Sequence, residues 1–562
     1  MSFSRTPSES SAPIHARVWQ STPGFLLAIS LLYVAIILAA TLTLNAYFSQ
    51  TWDVVTFIHA GQNLLDGSPW DLYAQSRAAQ NWPYAYPPLH AFVTALALMI
   101  GNVIGVLPDY AWARVPAILA DIGVAIILFA MVRRKSDEAT ARVAALIWLF
   151  NPLTFYDTAV QGHFESEWLV FVLLAYYWFE NSRNFILPSI ALAFAVLFKQ
   201  IAILFALPIF VSWFVRWVSK PTNYPTIKLS NLITSSFSFA AFIIAICLPF
   251  LLYSDDFAFM NLTYVENVPV QTQSWIVALL GMTRAAPNAL TSDFFLLRYQ
   301  TIVTLLVAGV IAFIAARREW NLYLTATLIA LAFFLTSKKV MGYYYVMLFP
   351  FLVAEILPKR RFDLATIVIV ATTWIALSPY YAAWVNHAQW WVYAILGSLN
   401  SLFFVWLFLV IASRPERNKV ESKEAAKQSP TSDVEILRFA QNDTFAFIRA
   451  SQRPMILLSL GLCAASAGAA LVQPIIASAS SPIRAPILAP GMEMQAMIAF
   501  GSVIALSAIT LVIGARAMRA ESRTTIFAFG ITLIFAPLFF AIYALTKEST
   551  AIFEIALKAL GV

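Results

Sequence analysis

The chain has 562 residues, 60% of them hydrophobic and 12% charged, with a mean hydropathy of +0.75. A soluble domain carries about 25% charged residues. This composition therefore excludes a soluble enzyme, and the recurrent apolar runs predict an all-α polytopic membrane protein. The net charge of +7 does not point to nucleic acid, because Lys and Arg gather in short loops, as in the cytoplasmic loops of membrane proteins.

Short alternating segments of the β-barrel kind are missing from the pattern. Cys247 and Cys463 lie inside apolar runs and read as small core residues, not as a disulfide or metal framework. Residues 1–24 are polar and carry Arg5, His15 and Arg17, which places them in the cytoplasm. The first span, 25–47, has no convincing cleavage site and is expected to be retained. It delivers the chain to a large external loop, 48–111, holding Trp52-Asp53, Trp70 and Tyr84-Ala85-Tyr86-Pro87-Pro88-Leu89.

The apolar run Leu89 to Leu107 is broken by Gly101, Asn102, Gly105 and Pro108. Were it to cross, Arg133, Arg134, Lys135 and Arg142 would lie outside. The run is therefore read as a juxtamembrane or re-entrant helix, and 112–132 as the next span. Further spans follow at 143–158, 164–180, 185–198, 201–217 and 230–253. A second external loop, 254–298, leads to spans at 299–316, 320–336, 342–357, 362–378 and 390–412. Residues 413–453 are polar and read as a flexible cytoplasmic linker. Residues 454–562 add a three-helix membrane segment, for a total of about fifteen spans.

On this topology Lys199, Lys338 and Lys339 fall on the external side, against the usual charge bias. Cations there either snorkel to headgroups or serve an anionic ligand. Asp53 lies on the same side. A partly dry carboxylate can take a proton from a sugar hydroxyl, and a loop aspartate can equally cap a helix. His163 and Glu165, in Gln161-Gly162-His163-Phe164-Glu165-Ser166-Glu167, sit at an external helix entrance; they read either as ligands of a sugar or phosphate or as a polar cap. The spacing matches no metal pattern. Asp121, in mid-span, is expected to face the bundle interior in a structural role. Pro87-Pro88 sets the angle at which the next helix meets the bilayer. No phosphate-cradling glycine loop or hydrolase triad order is found.

In order, these pieces resemble the membrane-embedded GT-C glycosyltransferases, particularly the dolichyl-phosphate-glucose glucosyltransferases and GPI mannosyltransferase. Asp53 falls where that superfamily keeps an acidic residue in its first external loop. Tyr86-Pro87-Pro88-Leu89 is similar to its Tyr-Pro-Pro-Leu, and Arg114 through Ile122 to its next span. Gly162-His163-Phe164 looks like the start of Gly-His-Phe-x-Tyr-Asn, Phe198-Lys199-Gln200 like Tyr-Lys-Gln, and Thr336 to Tyr345 like a lysine-bearing external loop. The likeness covers residues 25–412 as a catalytic module, most clearly 25–360. It departs at Glu165-Ser166-Glu167, and at Asp53, which Val54-Val55 follow.

The resemblance implies a GT-C helical bundle in the plasma (inner) membrane, with its site on the external or periplasmic face. It implies a hexosyltransferase using a polyprenyl-phosphate-sugar donor and a glycan, lipid or protein acceptor, without a cofactor. Asp53 would be the base. Lys199, Lys338, Lys339, His163, Glu165 and Tyr86 would bind the phosphate or sugar, and Trp70, Trp82 and Tyr84 would stack on sugar faces. A transporter or flippase of lipid-linked sugars, or a polysaccharide polymerase or ligase, remains the alternative class.

Overall fold

The computed structural model describes residues 21–47, 52–78, 84–182, 184–219, 228–254, 256–264, 272, 274–283, 295–377 and 390–412. The linker at 413–453, the three C-terminal spans, residues 265–271 and 284–294 of the second external loop, and Trp82 lie outside the described residues. Among those described, every regular element is helical. The main helices are α1 (Thr22–Tyr47), α2 (Trp52–Asp66), α3 (Leu89–Ile104), α4 (Val115–Lys135), α5 (Glu138–Leu149), α6 (Glu165–Asn181), α7 (Ile186–Phe198) and α8 (Ile203–Ser219). They continue with α9 (Leu229–Tyr253), α10 (Trp275–Thr283), α11 (Gln300–Arg318), α12 (Leu322–Thr336), α13 (Leu348–Ile356), α14 (Phe362–Leu377) and α15 (Trp390–Ala412).

Five helical stretches among the described residues are long and apolar enough to cross a membrane: Thr22–Leu42, Asp109–Lys135, Gln200–Ser219, Leu229–Tyr253 and Gln300–Arg318. Their outward faces are apolar, with Leu31, Phe237, Leu252 and Leu306 each more than half exposed. Such surface is costly in water and ordinary in lipid, so the chain is built for a membrane. The expected span at 143–158 divides: α5 stops at Leu149, Asn151 Oδ1 accepts from Leu153 N at 2.9 Å, and a wide turn runs from Tyr156 to Gln161. Pro152, which has no N–H to donate, sits at this break.

Helix ends carry the signals that start and stop them. Asp137 caps α5 through Thr140 N at 2.7 Å, and Asn321 caps α12 through Leu324 N at 2.7 Å. Gly105 ends α3 in the left-handed conformation, with φ of 67°. Arg133, Arg134 and Lys135 occupy the last turn of α4, where cations complement the helix dipole.

One end of the bundle is tied by charge. Glu138 accepts from Thr22 at 2.6 Å and from Arg142 at 2.7 Å. Glu180, at the end of α6, receives Lys135 at 3.1 Å and Tyr323 at 2.6 Å. Glu355 receives Asn321 at 2.6 Å together with Lys359. The helices α6 and α12 run in opposite senses from this end to the other, where Glu165, Lys199 and Lys339 lie. Seventeen and fifteen residues give lengths of about 25 and 22 Å.

Inside the bundle Asp121 is fully buried on α4 and accepts hydrogen bonds from Tyr33 of α1 and from Thr158 at 2.7 Å. It clamps α1, α4 and the wide turn together, which is the structural role its mid-span position calls for. Tyr33→Phe removes one donor from a carboxylate that no water reaches. The variant is expected to lose about 1–3 kcal/mol of stability, read as a lower midpoint in detergent thermal unfolding, whereas Leu31→Ala on the lipid face should change little.

Candidate functional site

The site is built around the Pro-Pro corner. Tyr84 donates its hydroxyl to Pro87 O at 2.8 Å and accepts Ala91 N at 3.0 Å, which bolts the corner to the first turn of α3. Tyr73 adds a hydrogen bond to Tyr86 O at 2.8 Å. This fixes the Tyr86 ring, whose hydroxyl lies 3.4 Å from His163 Nε2. Four residues beyond Tyr86, on the same side of the chain's turn into α3, His90 Nδ1 meets Glu167 Oε2 at 2.8 Å in a buried pair.

His163 is held by a backbone that only glycine fits easily. Gly162 has φ of 62°, and a Cβ there would strike the Val54 side chain and the Arg114 guanidinium. Arg114 is itself buried, donating to Thr158 O at 3.1 Å and Tyr110 O at 2.6 Å. The loop from Thr158 to Phe164 is thus moulded on Arg114 beneath and Val54 beside it, next to Asp53. The His163 ring stacks on Tyr343 at 4.1 Å and on Phe164 at 4.8 Å.

Two breaks between helices deliver the cations. Lys199 follows the last residue of α7 in extended backbone, and Gln200 Nε2 anchors the break on Ala85 O at 3.1 Å and Asn261 Oδ1 at 3.0 Å. The Lys199 ammonium pairs with Glu165 and lies 4.1 Å from the centre of the Tyr344 ring. Lys339 lies in the short segment after α12, where Ser337 Oγ bonds both its N–H at 3.3 Å and its carbonyl at 3.2 Å. The segment then meets Gly342, which rests against the Ala376 backbone of α14 with no room for a side chain.

Asp53 opens α2. Burial pushes its carboxyl above the ordinary aspartate range; the charges of Lys339 and then Lys199, and a hydrogen bond from Tyr343, pull it back, and Glu165 pushes the same way as burial. Burial lowers Lys339 to about 8, against the pull of Asp53 and with the help of Lys199. Burial and the neighbouring lysine charges hold His163 well below its usual range, so its ring is neutral at pH 7. The site therefore brings together a carboxyl raised above its ordinary range, two lysines and an imidazole held below its own, among the rings of Tyr343 and Tyr344.

Of the residues singled out in the sequence, Asp53, Tyr86, His163, Glu165, Lys199 and Lys339 come together. Trp70 stands apart: its ring packs on Phe250 at 5.5 Å and Tyr253 at 5.3 Å, at the end of α9. Lys338 is buried, and the charge that acts most strongly on Asp53 is that of Lys339. Sequence reasoning passed over Tyr343 and Tyr344, although they follow the lysine pair directly, and over Asp157, whose Oδ1 is 3.9 Å from His163 Nδ1. It also passed over His90, in the first turn of α3, whose pairing with Glu167 across 77 positions leaves no mark in the sequence. Among the described residues no three His, Cys, Asp or Glu side chains group in a way that could hold a metal ion.

No protein-family model matches the chain, and the search of curated proteins gives no match.

Gly162→Ala pays for a left-handed backbone and for a collision, whereas Gly105→Ala, with φ of 67° and open space around it, pays for the backbone alone. The backbone part is about 1–2 kcal/mol. Gly162→Ala should therefore lower the unfolding midpoint clearly more than Gly105→Ala. Equal losses would show that the Val54 and Arg114 contacts do not shape the site.

Proposed function

We propose that the chain is an integral membrane glycosyltransferase of the GT-C type, with about fifteen spans. It moves a hexose, mannose or glucose, from a polyprenyl-phosphate-sugar donor to an acceptor hydroxyl at the external face. The observation that carries this reading is that the charges of Lys339 and Lys199 act on Asp53, with the Lys199 ammonium 4.1 Å from the centre of the Tyr344 ring. A base must face the acceptor, and cations must face the leaving phosphate. Both are present, at the ends of helices too short to reach the bilayer surface. The thirteen residues of α7 and fifteen of α12 span about 20 and 22 Å, against about 30 Å of hydrocarbon. A lipid-borne headgroup would have to reach in to the lysines that follow them.

The step balances simply. The acceptor oxygen attacks the anomeric carbon as its proton passes to Asp53. The bond from that carbon to the phosphate oxygen breaks on the opposite face, so the configuration inverts. Polyprenyl phosphate leaves with the bonding pair, and Lys339 and Lys199 offset the charge that gathers on it. The neutral His163 ring and the Tyr86 hydroxyl offer hydrogen bonds to the sugar, and Tyr343 orients the base.

Purified protein in proteoliposomes, given labelled polyprenyl-phosphate-hexose and an extract of envelope acceptors, tests the reading. Transfer should depend on Asp53, with Asp53→Asn about 10²–10⁴-fold slower. The rate should fall at low pH as the raised Asp53 carboxyl takes up a proton. It should fall again above about pH 8, as Lys339 loses its own. Lys339→Arg keeps the charge and should remove the alkaline limb. Labelled lipid moved across the bilayer with no glycosidic bond formed would instead identify a flippase.

A further inference from the structure

Glu165, expected to touch substrate, is held by protein partners on both its carboxylate oxygens. The residue is fully buried. Trp168 Nε1 donates to Oε2 at 2.6 Å, while Oε1 pairs with Lys199 and stands 3.4 Å from His163 Nδ1. Both oxygens are engaged by the protein. The carboxylate is nonetheless in direct contact with a cation that, on the reaction proposed above, meets the phosphate. Any anion drawn to Lys199 comes within a few ångströms of a fixed negative charge.

From this geometry we infer that Glu165 is a positioning residue that also sets specificity: it holds the Lys199 ammonium against Tyr344 and discriminates between phosphate ligands by their charge. The inference rests on the proposed reaction, whose donor and product differ in this respect. The donor is a phosphodiester with one negative charge, and the leaving lipid is a phosphate monoester with close to two. A fixed anion repels a ligand in proportion to the ligand's charge. Glu165 therefore weakens product binding about twice as much, on a logarithmic scale, as it weakens donor binding. Lys199 remains available to the transition state, and the spent lipid is released. Trp168 is part of the same device, because its indole fixes the carboxylate that fixes the lysine.

The test is a binding titration on the full chain in detergent micelles, with polyprenyl phosphate and with a polyprenyl-phosphate-hexose as the two probes. Glu165→Gln keeps the shape and an acceptor for Trp168 but removes the charge. It should tighten the diester about 10-fold and the monoester about 100-fold, and product inhibition of turnover should deepen in parallel. Glu165→Asp should restore the wild-type ratio. Equal tightening of both lipids, or none, overturns the inference and leaves the proposed reaction standing. A wild-type protein that binds neither lipid overturns the reaction, and the inference with it.

Discussion

The charges of Asp53 and Lys339 act on each other, and the arrangement of the site follows from that opposition. Desolvation acts on both groups in the sense that discharges them, raising the carboxyl and lowering the ammonium, and each charge supports the other. A dry carboxylate without a cation would simply stay protonated, and a dry lysine without an anion would stay neutral. Each charge thus opposes the discharge that burial favours in the other, and shifted groups of this kind are the ones suited to exchanging protons. Lys199, Glu165 and Tyr343 adjust the balance without displacing it.

The scaffold makes this opposition possible by closing one end of the bundle and leaving the other for polar chemistry. Glu138, Glu180 and Glu355 bind arginines, lysines and helix caps at one end. At the other, α6 begins and α7 and α12 stop short, and the gaps they leave are filled by Lys199, Lys339 and the tyrosines that follow. Each break has a local cause: extended backbone at Lys199, the Ser337 bonds around Lys339, and Gly342 pressed on α14. The first loop closes over the gap through the Tyr84–Pro87 bond and the Arg77–Asp256 pair, which ties the helical turn before the Pro-Pro corner to the residues after α9.

Much of the helical plan was legible in residue order. Hydropathy and the placement of Lys and Arg mark the positions of α7, α8, α9, α11 and α14 to within a few residues, because a lipid-facing helix needs apolar length and little else. The break inside 143–158 was not legible, since Pro152 alone does not say whether a helix kinks or ends. Asp53, His163, Lys199 and Lys339 stood out because charge is expensive beside a membrane. The packing of Trp70 on Phe250 and Tyr253 was not legible, because an aromatic in a loop gives no sign of which neighbour it meets. The partnership of Glu165 with Lys199 across 34 positions, and that of Asp53 with Lys339 across most of the described chain, belong to the third dimension alone.

The most direct test of the central opposition needs no substrate. A double-mutant cycle on thermal unfolding, with Asp53→Asn, Lys339→Met and the pair combined, isolates the energy that couples the two groups. The account predicts a double variant more stable than the sum of the single losses allows, by about 0.5–3 kcal/mol. Strictly additive losses would mean that the two charges do not act on each other, and the site as described would not exist.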